Sequence, residues 1–469
     1  MSDSEFDLVV IGGGPAGYAA ALYAGSAGLS TAVVEYDKVG GTCLHRGCIP
    51  AKELLETAHV HRTVVDSARF GINVAEPTID FSVSQARKQN VVDQLTAGVE
   101  GLLKRRKSRI LRGQGRLGSG RTVTVTMADG SIETVVGRHV LLCSGSSPRT
   151  LPGFEVDGQI VKTSDEVLSM PGIPRSAAVV GGGAIGCEFA SMMADLGSQV
   201  VILEGMDQIV PGVDPDIART LRRAFTKRGI EVRTGVRVTG HTPRADGSGT
   251  TVHIEGGEDV EVETVVVSIG RRPRPDTLGL EGTDVQVDDR GFVLVDEHCR
   301  TAEPGVYALG DLIDTPALAH VAFAEAIMVV QDLLGENPLP IDYSRVPWAI
   351  YCRPEIAFAG MTEQQARDAG HQVVVSKHRY TGNSRAQIIG ETDGMVKIIA
   401  EAGPDGRAGQ VLGVHMMGPW VTEQLGQGYL AVNWEATVDE IAAFIQPHPT
   451  LSELFGESVL ALTGRALHG

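Results

Sequence analysis

Two cysteines with four residues between them, Cys43 and Cys48, are the first groups that could do chemistry. They lie in the run Cys43-Leu44-His45-Arg46-Gly47-Cys48-Ile49-Pro50-Ala51-Lys52. Such a pair can close a disulfide within one turn, can be two buried thiols, or can be half of a metal site. A tetrahedral zinc site needs a second pair, and the other cysteines, 143, 187, 299 and 352, are scattered. No metal is therefore expected. A redox role needs a thiolate of low pKa near cations and a helix N-terminus. Arg46, Lys52 and a helix predicted to start at Cys48 supply these. Arg46 in particular is expected to favour the thiolate.

A second candidate is His448, near the end of the chain. An imidazole has its pKa near working pH, so it can take a thiol proton and return it. A lone histidine can equally be structural. Thr450 and Glu453, three positions apart, also read as a capping box in which Glu453 caps a helix start.

These groups need a scaffold. Residues 6–11 (FDLVVI) predict a buried strand, and residues 15–28 an Ala-rich helix. Between them lies Gly12-Gly13-Gly14-Pro15-Ala16-Gly17, a GxGxxG turn. Its first glycine permits the tight turn, the second lets a pyrophosphate approach, and the third lets helix pack on strand. The phosphates would sit at the helix N-terminus. Glu35 ends the next strand, residues 31–35, and lies 23 positions after Gly12, where its carboxylate can accept from ribose hydroxyls. The unit returns: a strand at 177–182, Gly181-Gly182-Gly183-Ala184-Ile185-Gly186, a helix at 185–196, a strand at 199–204, and Glu204, again 23 positions on. Two fingerprints imply two dinucleotides. A carboxylate at the second strand end favours NAD over NADP, because it repels a 2′-phosphate.

Elsewhere, a helix is predicted from Cys48 to about Phe70 and another over 82–106, with strands to about 142. Residues 243–259 read as a hairpin or loop, and strands are predicted at 261–268 and 305–309. From about 346 the pattern becomes a strand, a helix and several strands, closing with helices after 420 and 450. The 469 residues suit about three domains. Glycine, 58 residues, is about one in eight against a usual ~7%, and it clusters in the turns named above. The net charge of −17 argues against non-specific nucleic-acid binding. No apolar run approaches the roughly 18 residues of a membrane span. The first apolar strand starts almost at the N-terminus, so no signal peptide is expected and the cytoplasm is the expected address.

Read in order, the motifs resemble the flavin-dependent pyridine-nucleotide disulfide oxidoreductases along the whole chain. The resemblance rests on GG-T-CLHRGCIPAK after the first fingerprint and Glu35, and on the second fingerprint. It continues through Gly270-Arg271-Arg272-Pro273, Gly305-Val306-Tyr307-Ala308-Leu309-Gly310-Asp311 and His448-Pro449-Thr450-Leu451-Ser452-Glu453. It implies an α/β fold with two Rossmann-like domains and a C-terminal α+β dimerisation domain. Residues 1–149 and 272–345 would bind FAD, 150–271 NAD, and 346–469 would join two copies.

The resemblance also implies roles. Cys48 would lie against the flavin as a thiolate and Cys43 would exchange with the substrate thiol. Lys52 and Glu188 would pair beside the flavin ring. Gly12, Gly14, Gly17, Glu35, Gly41, Thr42, Gly115, Ser144, Gly145 and Ser146 would line the FAD site. Asp311 would hold the ribityl chain, with Ala317, Leu318, Ala319 and His320 along the same cofactor. Gly181, Gly183, Ile185, Gly186, Glu204, Val238 and Gly270 would line the NAD site. His448, oriented by Glu453, would be the general base acting on the cysteines of the other subunit, so a homodimer is expected.

The implied reaction is oxidation of a small dithiol, a protein-bound dihydrolipoyl group, with NAD+. Its setting would be a 2-oxo acid dehydrogenase complex or the glycine cleavage system. The partner would then be a lipoylated acyltransferase or the glycine-cleavage carrier protein. Two alternatives stay open. One is reduction of another disulfide, a quinone or a metal ion on the same scaffold; the other is a docking subunit whose redox centre is secondary. Some members end in a further cysteine pair or redox residue, but the last cysteine here is Cys352. Two departures from the family pattern stand out. Gln446-Pro447 replaces the first half of the common His-x-His-Pro-Thr, and His45-Arg46 stands where many members carry Asn-Val.

Overall fold

The computed structural model describes residues 4–468. Its first sheet is built around the strand Glu5–Ile11. Thr31–Glu35 and Ile132–Leu142 flank that strand in parallel. Arg109–Gly118 and Val306–Ala308 extend the parallel ladder on either side. Thr122–Met127 runs antiparallel between Arg109–Gly118 and Ile132–Leu142. Leu8, Val9 and Val10 are fully buried, as an unbroken apolar strand covered on both faces requires. The helix Pro15–Ser26 lays a face of small residues, Ala16, Ala20, Ala21 and Ala24, on the core.

A second parallel sheet repeats the plan in the order Glu231–Thr234, Gln199–Glu204, Ser176–Val180, Thr264–Val267, Val161–Lys162. The region expected to be a hairpin or loop at 243–259 lies in a small antiparallel sheet of Val238–Pro243, Thr250–Ile254 and Val260–Val262. The strand expected over 261–268 is divided: Val260–Val262 belongs to that small sheet and Thr264–Val267 to the parallel one. The C-terminal part is a five-stranded antiparallel sheet, Trp348–Ile350, Glu355–Gly360, Ala408–Gly418, Met395–Ala402, Val373–Arg379, with helices Val421–Asn433 and Glu453–Leu462. Among the described residues no helix is long and apolar enough to cross a membrane.

The long helices fall where their sequence signals put them. Cys48–Val65 is followed by a 3-10 turn, Asp66–Phe70. Phe81–Arg105 starts at Asp80, whose Oδ1 accepts from the N–H groups of Ser82 (3.1 Å) and Val83 (3.4 Å). It ends on Lys104 and Arg105, cations at the negative pole of the helix.

Polar groups lock these parts together. Lys397, only 2% exposed, donates to Asp214 (3.0 and 2.9 Å) and Asp216 (2.8 Å) and pairs with Glu363 (2.8 Å). Lys377 also pairs with Asp216, at 2.6 Å. Burial alone would raise the pKa of Asp216. The hydrogen bonds from Lys377 and Lys397 outweigh that effect and hold it well below the usual carboxylate range. Lys397 likewise lowers Glu363. Asp214 also caps the helix Pro215–Lys227, so one ammonium ties that helix start to the C-terminal sheet. A second junction centres on Asp195, which pairs with Arg62 and with Arg228 (2.6 Å), while Arg353 N–H donates to Ser191 Oγ (2.9 Å).

Removing one partner of a buried ionic cluster leaves uncompensated charge. Lys397→Met is expected to cost about 3–5 kcal/mol, read as a lower thermal midpoint. The pH sign follows from the depressed carboxylates. Their stabilisation is present above the ordinary carboxylate pKa and is lost as pH falls through the depressed one. Without Lys397 the acid-unfolding midpoint should therefore move to higher pH; an unchanged acid limb would contradict this assignment.

Candidate active site

The two glycine turns are built alike. Gly12 has φ +109° and Gly181 φ +102°. A Cβ at either would meet a carbonyl oxygen at 2.2 Å, that of Cys143 or Ser268. Each turn is closed by the carboxylate ending the second strand. Glu35 accepts from Gly13 N–H (2.7 Å) and Asp37 N–H (2.8 Å). Glu204 accepts from Gly182 N–H (2.6 Å) and Met206 N–H (2.7 Å). The helices that follow, Pro15–Ser26 and Ala184–Asp195, carry neither a side-chain cap nor an acid in the first turn. Their first N–H groups are thus left for an anion.

Cys43 sits in the short helix Gly41–Arg46 and Cys48 opens Cys48–Val65. The chain turns sharply at Gly47 between them, and the two sulfurs form a disulfide with Cα atoms 4.7 Å apart. Cys48 occupies the first position of an 18-residue helix, where the dipole favours a thiolate once the bond opens. Neither departure between the cysteines is idle. His45 Nε2 lies 2.9 Å from Val39 O. Arg46, expected from sequence to favour the thiolate, pairs with the carboxylate of Asp37.

One turn further, Lys52 Nζ lies 3.0 and 2.9 Å from the two carboxylate oxygens of Glu188. Glu188 comes from the helix that starts at the second glycine turn. The other four cysteines are buried, and burial pushes the thiols of Cys143, Cys187, Cys299 and Cys352 up.

A single cavity of about 520 Å³ collects these groups, within the ~300–1,000 Å³ usual for ligand sites. Of the residues expected at the site, Gly12, Gly14, Glu35, Gly41, Thr42, Cys43, Cys48, Lys52, Gly115, Ser144, Gly145, Ser146, Ile185, Glu188, Gly270, Asp311, Ala317, Leu318 and Ala319 line it. Gly17, Gly181, Gly183, Gly186, Glu204, Val238 and His320 do not. Gly17 and Gly186 are packing positions, where a Cβ would fall within 2.0 Å of a turn carbonyl oxygen. His320 points its ring at Pro347 O (2.8 Å).

Spacing alone did not show how the walls of the cavity are tied together. Arg271 donates to Ser146 Oγ (2.7 Å), and Ser146 Oγ donates to Asp311 (2.5 Å). Arg274 crosses the mouth to Tyr36, its Nη1 donating to the hydroxyl at 3.1 Å. Beneath Asp311, the buried Glu325 accepts from Gly310 N–H (2.7 Å), Thr315 (2.8 Å) and Tyr343 (3.1 Å). Burial raises its pKa despite those bonds.

His448 lies apart from that cavity, its side chain 69% exposed. Nδ1 is 2.8 Å from Glu453 Oε1, while Glu453 Oε2 accepts from Thr450 N–H at 2.7 Å. The expected capping box is only half formed. Thr450 Oγ1 donates to Pro447 O (2.8 Å) and accepts from no helix N–H, and the N-cap is Ser452. Gln446 turns to Gln427, 3.4 Å away, and takes no part in the imidazole pair.

The family described as "Pyridine nucleotide-disulphide oxidoreductase" matches residues 6–326, and its dimerisation domain matches residues 346–459. A Bacillus subtilis protein named dihydrolipoyl dehydrogenase is 43% identical over 476 residues, covering 99% of each chain. A Thermus scotoductus protein of the same name is 38% identical, covering 99% of this chain and 98% of its own. Among solved structures, LpdA of Mycobacterium tuberculosis superposes with a TM-score of 0.90 at 28% identity, covering 97% of this chain and 99% of its own. The Escherichia coli flavoprotein disulfide reductase RclA, described as HOCl-induced, gives a TM-score of 0.86 at 25% identity over 97% and 99%.

The burial pattern makes a direct statement about thiols. Alkylation of the native protein should label no cysteine before reduction, and only Cys43 and Cys48 after it. Mass mapping checks this. Label on Cys143, Cys187, Cys299 or Cys352 in the folded, reduced protein would contradict it.

Proposed function

This chain belongs to the pyridine nucleotide-disulphide oxidoreductase family, and we propose that it oxidises protein-bound dihydrolipoyl groups to the disulfide with NAD+ through bound FAD. The observation that carries this reading is the Cys43–Cys48 disulfide opening into the same cavity as a dinucleotide turn and the Lys52–Glu188 pair. Full-length similarity to proteins named dihydrolipoyl dehydrogenase supports the choice of dithiol.

The residues present fit FAD. Gly12, Gly14 and the bare N-terminus of Pro15–Ser26 suit its pyrophosphate, Glu35 its adenosine ribose, and Asp311 with Ser146 its ribityl hydroxyls. Gly115, Gly41 and Thr42 would complete the walls. The second turn, Gly181 to Gly186, with Glu204, suits NAD+. FAD, when bound, accepts the electron pair of a dithiol and delivers it as hydride to NAD+.

The chain's own groups do the sulfur chemistry. A substrate thiolate attacks Cys43 Sγ, and the Cys43–Cys48 bond breaks with Cys48 leaving as thiolate. The second substrate thiol, deprotonated, attacks the substrate sulfur of the mixed disulfide and expels Cys43. The substrate leaves as disulfide, and its two electrons rest on the cysteine pair. His448 of a second copy takes the thiol proton; a hydrogen on Nδ1 held by Glu453 leaves Nε2 as the acceptor. The exposure of His448 and its absence from the lining of its own chain's cavity support action across a dimer. The net change is dithiol plus NAD+ to disulfide, NADH and a proton.

Residues 1–149 and 272–345 would form the FAD part, 150–271 the NAD part and 346–469 the interface. The partner we propose is a lipoylated acyltransferase or glycine-cleavage carrier protein in the cytoplasm.

Two variants separate the roles. Cys48→Ser should keep FAD but abolish NADH formation from dihydrolipoamide. His448→Gln should lower kcat by roughly 10²–10⁴-fold with the flavin spectrum unchanged. Steady-state assay of the FAD-loaded protein reads both, and near-normal turnover in Cys48→Ser would sink the assignment.

A further inference from the structure

Lys52 is one of the cations lining the reaction cavity, and its side chain is 34% exposed. Glu188 holds two sides of the ammonium, at 3.0 and 2.9 Å. A third side is covered by the ring of Tyr351, whose centroid lies 4.8 Å from Nζ. The same residue also grips the carboxylate: Tyr351 N–H donates to Glu188 Oε1 at 2.9 Å. Tyr351 directly follows the strand Trp348–Ile350, and Trp348 and Ala349 of that strand line the cavity. Its far side meets Thr422, which in turn donates to Glu355 (2.8 Å). One residue of the C-terminal part thus touches both members of an ion pair formed by the other two parts.

We propose that Tyr351 is a positioning residue for the Lys52–Glu188 pair, its ring face fixing where the ammonium stands beside the flavin. The inference rests on the proposed role of Lys52 at that cofactor. The physical reason is the freedom of a lysine. Four rotatable bonds let a third-exposed ammonium swing into water. Glu188 fixes its distance but leaves rotation about the pair. An aromatic face attracts the cation along its normal, which removes that freedom. The backbone bond from Tyr351 to Glu188 survives any side-chain substitution, so the ring can be deleted alone.

The test uses the FAD-loaded protein and three substitutions. Tyr351→Leu removes the face, Tyr351→Phe keeps it without the hydroxyl, and Lys52→Met removes the cation. Tyr351→Met deletes the face again if the leucine variant loses FAD. The readouts are the flavin midpoint potential and the single-turnover rate of NADH formation.

Tyr351→Leu should slow that turnover about two- to fivefold, the factor of a partly exposed cation–π contact. It should shift the potential in the same direction as Lys52→Met, but less, and Tyr351→Phe should restore the wild-type value. In the Lys52→Met background, losing the ring should change nothing further. A wild-type potential in Tyr351→Leu beside a shifted Lys52→Met would overturn the inference alone. So would a leucine effect that persists without Lys52. A Lys52→Met potential equal to wild type would overturn the role of Lys52 itself, and this inference with it.

Discussion

The ion pair between Lys52 and Glu188 is the contact on which the rest of the arrangement depends. Lys52 stands on the helix whose first residue is Cys48, and Glu188 on the helix that opens at the second glycine turn. The pair therefore sets the distance between the sulfur chemistry and the second dinucleotide turn. A carboxylate as buried as Glu188 is costly unless paired and hydrogen-bonded. It receives both ammonium bonds and the Tyr351 N–H. Because each partner satisfies the other, neither helix can shift without leaving charge uncompensated.

The same logic repeats away from the cavity. Lys397 reaches from the C-terminal sheet to Asp214 and Asp216 at the start of Pro215–Lys227. Asp195, the last residue of the helix bearing Glu188, gathers Arg62 and Arg228. Both junctions lie between elements distant in sequence. Buried ionic contacts contribute little net stability against an apolar alternative, but they demand one geometry. That is what a site assembled from three separate parts of the chain requires.

Much of this was legible before folding. The two GxGxxG turns, with Glu35 and Glu204 at equal spacing, define their own geometry, because strand, turn and helix are local. The strands 31–35 and 199–204 and the helix beginning at Cys48 follow from apolar runs and their breakers. Other elements were hidden for physical reasons. Ala319–Leu333 is apolar on most sides, so it shows little helical periodicity. The turn of helix at Gly41–Arg46 starts on two glycines, which read as loop. Pro215–Lys227 carries a local start signal, Asp214 followed by Pro215. Tyr351 over Lys52 and Arg274 across to Tyr36 join residues hundreds of positions apart, and no spacing rule reaches that far. Thr450 misled because the helix starts later than the capping-box spacing implies, with Ser452 as its N-cap.

Electrons from a dihydrolipoyl dithiol pass through Cys43–Cys48 and FAD to NAD+. Anaerobic addition of dihydrolipoamide to the FAD-loaded protein, followed by NAD+, tests it most directly by absorbance. The expected result is a long-wavelength band from a thiolate against the flavin, then one NADH for each dithiol oxidised. A flavin that NADH reduces but dihydrolipoamide leaves untouched would contradict it.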